Sequence, residues 1–295
     1  MELLAPAGSY QALRAAVHSG ADAVYIGGTE FSARRTADNF SPERMKEWID
    51  YCHLYGVAVH VAANTLIKEK EAAAFLAYVE TLNRMGVDAV IIQDLGMAES
   101  VRQAFPELPL HASTQMTVSS LEGVRYLENM GFTRVVLSRE LSREAVAEIA
   151  KNSHAELEVF VHGALCMCYS GQCLMSSMIG GRSGNRGLCA QPCRLPYTLY
   201  DGKKKKKQGY LLSPKDLCLA DELNELDKIG VTSLKIEGRL KRPEYVSTVV
   251  GVYRKCLDEA RPANAQEKKQ LADAFCRSGF TEGYWKNQIS GSMMS

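Results

Sequence analysis

The sequence predicts an α/β fold: a (β/α)8 TIM-like barrel with a long cysteine-rich insertion between strands seven and eight and a short C-terminal helical extension. Three observations predict it. Five helix-like stretches end at a glycine and pass at once into a short apolar run, at 20–28, 56–64, 86–94, 131–140 and 230–238. Three further runs of the same character, 2–5, 108–113 and 156–162, lack the glycine and bring the strands to eight. Between the seventh and eighth runs about fifty residues intervene, far more than an ordinary βα connection needs. An open doubly wound sheet is the alternative; eight strands with short loops favour the barrel.

Each element follows from local chemistry. A glycine just past a helix adopts the left-handed cap that other residues resist, and a β-branched run with no polar face reads as a buried parallel strand. Amphipathic stretches such as 69–85 and 142–151 supply the helices between strands. After strand eight, 243–260 places Tyr245, Val249, Val252, Tyr253 and Leu257 on one helical face that closes the barrel. The segment 263–278 reads as another helix, 279–284 as a turn-rich extension, and 291–295 shows no packing pattern. The barrel is therefore assigned to 1–260, including a basic insertion at 163–215, and the extension to 261–295, whose end leaves truncation open.

Composition narrows the class. With 295 residues, 46% of them hydrophobic, the chain can bury one large core or two modest ones. No apolar run approaches the ~18 residues a membrane span needs, and the chain enters a strand-like run at once, so neither a span nor a signal peptide is expected. Nine cysteines, an odd number, argue for a reducing compartment with metal or redox use over a disulfide framework. A cytoplasmic protein is expected.

In such barrels chemistry sits at the C-terminal strand ends. Here those ends carry Tyr25, Asn64, Gln93, Asp94, Ser113, Gln115, Arg139, Glu140, His162, Lys235, Glu237 and Arg239. Taken singly, Asp94 or Ser113 reads as a helix cap and Glu140 as a partner for Arg139. Taken as a ring, they line a site. His162, Glu237 and Lys235 are the candidates for proton transfer. Arg35, Asn64, Gln115, Arg139, Arg186 and Arg239 are the candidates for binding phosphate or a dicarboxylate.

Five of the nine cysteines fall between Cys166 and Cys193, and Cys218 lies just beyond. The spacing Cys166-x6-Cys173-x15-Cys189-x3-Cys193 brings four thiolates into one Gly-, Ser- and Arg-rich loop, which suits a tetrahedral zinc or an iron–sulfur cluster. Only Cys189/Cys193 resembles a zinc knuckle, so the cluster is favoured and zinc stays open. Cys168 and Cys218 are spare ligands at most, and Cys52, Cys256 and Cys276 read as core. The insertion holds nine Lys and Arg against one acid, Asp201, a net of +8 in a chain of net +1, so the remainder carries −7. The run Lys203–Lys207 after the Asp201-Gly202 turn reads either as a solvated hairpin tip or as a phosphate-binding arm.

Several of these segments resemble the peptidase U32 family: the opening 1–8, then 158–166 with His162, Gly163 and Cys166, 170–176 with Gly171 and Cys173, 186–194, and 235–245. The resemblance covers essentially the whole chain. It implies oxygen-independent hydroxylation of a tRNA wobble uridine, an rRNA cytidine or an aromatic quinone precursor, a 4Fe-4S cluster, and prephenate as co-substrate of the RNA-acting members. Cys189-x3-Cys193 with Arg194, and the intact 235–239 motif, resemble the RNA-hydroxylating branch. The segments 213–218 and 279–284 resemble its rRNA type slightly more than its tRNA type. The peptidase label itself finds little support: there is no G-x-S-x-G elbow and no H-E-x-x-H helix. A Cys–His protease using Cys166 and His162, and a zinc-bearing RNA-binding protein without chemistry of its own, remain as alternatives.

Overall fold

The computed structural model describes residues 1–33 and 40–295. Strand β1 (Glu2–Pro6) pairs in parallel with β2 (Ala23–Ile26), and parallel pairing continues through β3 (Ala58–Ala63), β4 (Ala89–Ile92), β5 (Leu110–Ala112), β6 (Arg134–Val136) and β7 (Glu156–Gly163). A separate hairpin of β8 (Tyr197–Asp201) and β9 (Lys204–Gly209) follows, then β10 (Asp216–Cys218), which runs antiparallel beside the end of β7. Strand β11 (Ser233–Ile236) pairs in parallel with both β7 and β1 and closes eight strands into a barrel.

Helices α1 (Tyr10–His18), α2 (Pro42–Leu54), α3 (Ala72–Met85), α4 (Leu95–Ala104), α5 (Leu121–Asn129) and α6 (Arg143–Asn152) connect successive barrel strands. Helix α7 (Met175–Gly180) lies in the insertion, α8 (Leu223–Ile229) precedes β11, and α9 (Pro243–Asp258) and α10 (Ala265–Ala274) follow it. The five glycines read as caps all have left-handed φ, from +71° at Gly56 to +94° at Gly230. Ser9, Asp94, Ser120 and Ser142 each accept a first-turn N–H from their helix, so the helices start where a short polar side chain can satisfy the backbone.

Alternation along the strands sorts the core into two parts. Outward residues such as Leu3, Val24, Val59, Val61, Val90, Val135 and Leu234 join the helices in one large apolar cluster. Inside the barrel the apolar part is small, Leu4, Ala23, Tyr25 and Ile91. The extension belongs to the large cluster: Leu271, Trp285 and Met293 are buried in it.

Two expectations for the C-terminal segment are corrected here. Within 279–284, β12 (Phe280–Thr281) pairs in parallel with β10, and the last residues pack, with Met293 4% exposed and Met294 bridged to Pro214. Neither is legible locally, because both depend on backbone around residues 214–218, far off in sequence. Among the described residues no helix is long and apolar enough to cross a membrane.

Candidate active site at the barrel mouth

The loop after β7 leaves the barrel at Gly163, whose φ of +105° and close approach to the Glu237 carbonyl (a Cβ would lie 2.8 Å from it) admit no side chain. Leu165 then turns into the core and Cys166 faces solvent. The four predicted ligands lie in this one loop, and the other three each bear electrostatically on Cys193. Burial pushes the Cys193 thiol up, Arg194 pulls it down, and Cys166, Cys189 and Cys173 add to the rise, so all three act on one sulfur. Cys168 is pushed up as well, by burial and then by Cys173 and Cys166, which sets it beside the four.

A tetrahedral zinc with Zn–S near 2.3 Å brings its sulfurs to about 3.8 Å from one another. Among the described residues, the only metal-ligating group with all donor atoms within 4.8 Å is His60, His111 and Glu158, so no three cysteines are that compact. Four thiols in one loop suit a tetrahedral zinc or an iron–sulfur cluster alike.

The insertion is fastened to the strand ends by named bonds. Gly171 lies on the Gln115 carbonyl, where a Cβ would fall 2.2 Å from the oxygen. Thr117 Oγ1 donates to the Ser170 carbonyl (2.7 Å) and accepts from Gln172 Nε2 (2.6 Å). Glu140 Oε1 accepts from the Ser170 N–H (3.1 Å) and hydroxyl (3.2 Å), leaving its Oε2 buried and unpartnered. Arg186 pairs with Glu71 (2.9 Å) and donates to the Leu66 carbonyl (2.6 Å). Arg194 donates to Ser213 Oγ and the Pro214 carbonyl, both at 2.9 Å, and to the Leu165 carbonyl. Arg186 and Arg194 thus clamp the loop.

At the mouth itself Arg139 pairs with Glu237 (2.9 Å) and stacks its guanidinium 4.0 Å over the Phe160 ring. The expected Arg139–Glu140 pairing does not form. Asn64 donates to Ser113 Oγ (3.2 Å) and accepts from the Ala33 N–H (3.1 Å), and Gln115 Nε2 reaches the Asn64 carbonyl at 3.4 Å. Asn64 and Gln115 therefore come together on the floor under the cysteine loop. Arg239 is buried, with both Nη atoms 3.0 Å from Ser32 Oγ beneath Gly27. Arg35 lies outside the described residues.

Two predicted proton-transfer residues are placed elsewhere. Lys235 turns into the barrel and pairs with Glu158 at 2.6 Å, its Nζ 4.5 Å over the Tyr25 ring. Strict alternation after Phe160 would aim His162 inward, but the register shifts between Lys235 and Ile236, and His162 pairs with outward-facing Ile236. The imidazole lies among Tyr245, Tyr253 and Phe280, with Nδ1 3.3 Å from the Tyr253 hydroxyl and Nε2 unpartnered. Burial, with Lys241 adding to it, pushes its pKa down to about 3.

The sequence reading passed over the ionised barrel interior. Glu158 is fully buried; burial raises its carboxyl, but Lys235 and Arg134 outweigh burial and hold it below the usual range. Arg134 also pairs with Glu2 and with Glu156 (2.7 Å). His60 and His111 stack edge-on at 4.7 Å, both pushed down chiefly by burial. A divalent ion among these residues would sit against Lys235 and Arg134, which already neutralise Glu158, so they form an ion network rather than a metal centre. The available signal was an ionisable residue at an inward position of an apolar run.

Comparison with known proteins adds the following. The family model described as Peptidase family U32 matches residues 8–294. The chain is 39% identical over 279 residues to "tRNA hydroxylation protein P1" of Bacillus subtilis (strain 168), covering 91% of this chain and 66% of the relative. It is 42% identical over 287 residues to "23S rRNA 5-hydroxycytidine C2501 synthase" of Escherichia coli (strain K12), covering 97% of this chain and 42% of the relative. It is 34% identical over 312 residues to a protein named "Collagenase" from Porphyromonas gingivalis (strain ATCC BAA-308 / W83), covering 98% of this chain and 74% of the relative. The chain therefore spans about two thirds of the first relative's length and less than half of the second's.

Proposed function

The chain belongs to peptidase family U32, and on that premise we propose that it is a cytoplasmic RNA-modifying hydroxylase, placing a hydroxyl on pyrimidine C5 without molecular oxygen. The target is an rRNA cytidine or a tRNA wobble uridine. The observation that carries this reading is one loop, holding Cys166, Cys173, Cys189 and Cys193, that Thr117 and Glu140 fasten over the barrel mouth. The names of the Bacillus subtilis and Escherichia coli relatives support the RNA substrate.

A 4Fe-4S cluster on Cys166, Cys173, Cys189 and Cys193 is part of the proposal; the loose Cys166-x6-Cys173 half of the motif, which is no zinc knuckle, supports it over a single zinc. When bound, the cluster supplies electron-transfer chemistry at the mouth, tuned by burial and by Arg194. The chain's own residues do the rest. Arg139, stacked on Phe160 and held by Glu237 and the Ala164 carbonyl, places a fixed positive charge at the mouth toward a dicarboxylate co-substrate, for which the family resemblance points to prephenate. Glu237 beside it, and the unpartnered Oε2 of Glu140 under the cysteine loop, are positioned to hold a proton leaving the ring. Asn64 and Gln115 offer amides to the edge of a flipped base, which must leave its stack before C5 is reachable. His162 and Lys235 leave the proton-transfer set because both are enclosed by other partners.

The test is mass spectrometry of rRNA and tRNA nucleosides from cells with and without the gene. One pyrimidine should lose a single oxygen atom in the deletion strain and regain it with the wild-type gene but not with Cys193→Ala. Unchanged nucleosides, together with gelatin cleavage by cluster-free protein, would overturn the reading in favour of the peptidase.

A further inference from the structure

We propose that the β8–β9 hairpin is a binding arm for single-stranded RNA flanking the modified nucleotide; this rests on the hydroxylase reading and adds to it where the substrate is held. The hairpin stands apart from the barrel sheet as its own two-stranded ribbon, and such a ribbon gains little stability by itself. Its five lysines, Lys203–Lys207, are all exposed. The only carboxylate among them is Asp201, which pairs with Lys206 at 3.0 Å. The fold neutralises little of this charge, and five like charges in a row repel one another. A polyanion would remove that cost.

The apolar residues of the same ribbon narrow the partner. Leu199 (55% exposed) and Tyr200 (58%) lie on β8, and Tyr210 (54%) follows β9. The register sets Tyr200 across from Lys205 and Leu199 across from Lys207, so each face carries one apolar group beside one ammonium. A ring for a base to stack on, next to a cation for its phosphate, is what an unpaired strand uses and a duplex, with its bases already stacked, does not. The stem begins at the cluster loop itself: Tyr197 donates to the Pro192 carbonyl at 3.0 Å, one residue before Cys193. RNA held on this arm therefore leads toward the cysteine cluster.

The experiment measures binding of the full chain to a fluorescent oligouridylate of about fifteen nucleotides, and to an RNA duplex of equal length, by anisotropy at several salt concentrations. A variant with Lys203, Lys204, Lys205, Lys206 and Lys207 each changed to Gln should lower the steepness of the log–log salt dependence by about 2, as expected for three lost single-strand phosphate contacts. Tyr200→Ala should weaken single-strand binding about tenfold with the slope unchanged. Iron content and far-UV circular dichroism equal to wild type show that the barrel is intact. An unchanged slope in the lysine variant overturns the proposal. So does a loss confined to vesicles containing phosphatidylserine, which would make the arm a membrane contact. Binding is read without turnover, so unmodified cellular nucleosides alongside the predicted binding changes would defeat the hydroxylase reading and uphold the arm.

Discussion

Glu158 shows how much a single buried charge governs. Its two carboxylate oxygens take a 2.6 Å contact from Lys235 and a 3.3 Å contact from Arg134, and none of the three side chains is more than 6% exposed. Such a group has little solvation of its own, so the balance rests on its partners. Removing one partner of a buried pair typically costs about 3–5 kcal/mol, whereas replacing the pair with neutral groups of similar volume is often close to neutral. Lys235→Met should therefore lower unfolding stability by about that amount, and adding Glu158→Gln should restore part of it; urea melts of the two proteins decide. If the double variant is no better than the single, the loss is one of packing rather than charge. His162 gives a second residue-scale test. Its imidazole stays neutral in the fold down to about 3 but titrates near 6.5 when unfolded, so between those values the unfolded chain binds the extra proton. The stability it contributes is present above the ordinary imidazole range and falls as pH drops, by about 1.4 kcal/mol per unit. His60 and His111 shift in the same direction. His162→Phe, which suits the surrounding rings, should flatten the loss of stability between pH 7 and pH 5 without abolishing it. A slope equal to wild type would show that His162 is solvated in solution.

At the scale of elements, the decisive device is the irregularity where β7 meets β11. The run 156–162 alternates cleanly, and read locally it carries His162 to the inward face with Glu158 and Phe160. The register shift opposite Ile236 turns His162 to the α9 side instead. Pairing with a strand more than seventy residues away set that outcome, and no local pattern reports it. Glycine caps and polar N-caps, by contrast, act within one turn, which is why the helices could be read from 69–85 and 142–151 with only end shifts. The cysteine loop depends on a third kind of constraint, close backbone approach. Gly171 combines a φ of +79° with contact against the Gln115 carbonyl, so Ala there is both strained and blocked. Gly171→Ala should displace the loop between Cys166 and Cys173 and lower bound iron after anaerobic purification, while barrel unfolding changes by no more than about 1–2 kcal/mol. Full iron retention would mean that the loop tolerates the shift, and that Thr117 and Glu140 hold it without Gly171.

Taken whole, the molecule consists of a barrel that encodes itself and an insertion that does not. The eight strands were legible because each carries its own apolar run, β-branched in most, and five follow their own glycine junction. Of the candidate site, the cysteines and Arg139 were legible from type and spacing. The partners that hold them, Arg186 on Glu71 and Glu140 on Ser170, were not, since each bond joins segments far apart in sequence. The tail escaped for the same reason, its Met293 being buried beside a backbone bridge from Met294 to Pro214. From 164 to 196 the insertion has one six-residue helix and two short 3-10 turns, with few buried apolar side chains of its own. Segments with so little packing open at low free energy unless something cross-links them. If four thiolates share one cluster, the cluster is that cross-link, and binding it stabilises only the folded loop. Stripping iron with an anaerobic chelator should then leave the far-UV circular dichroism and the main thermal transition close to those of the loaded protein. Limited trypsin digestion should nonetheless begin to cut after Arg182 and Arg186, sites the loaded protein protects. Loss of the main transition would place the metal in the barrel's own stability, as the His60–His111–Glu158 group would require. Equal trypsin patterns would mean that the clamps on Arg186 and Arg194 alone suffice to order the loop.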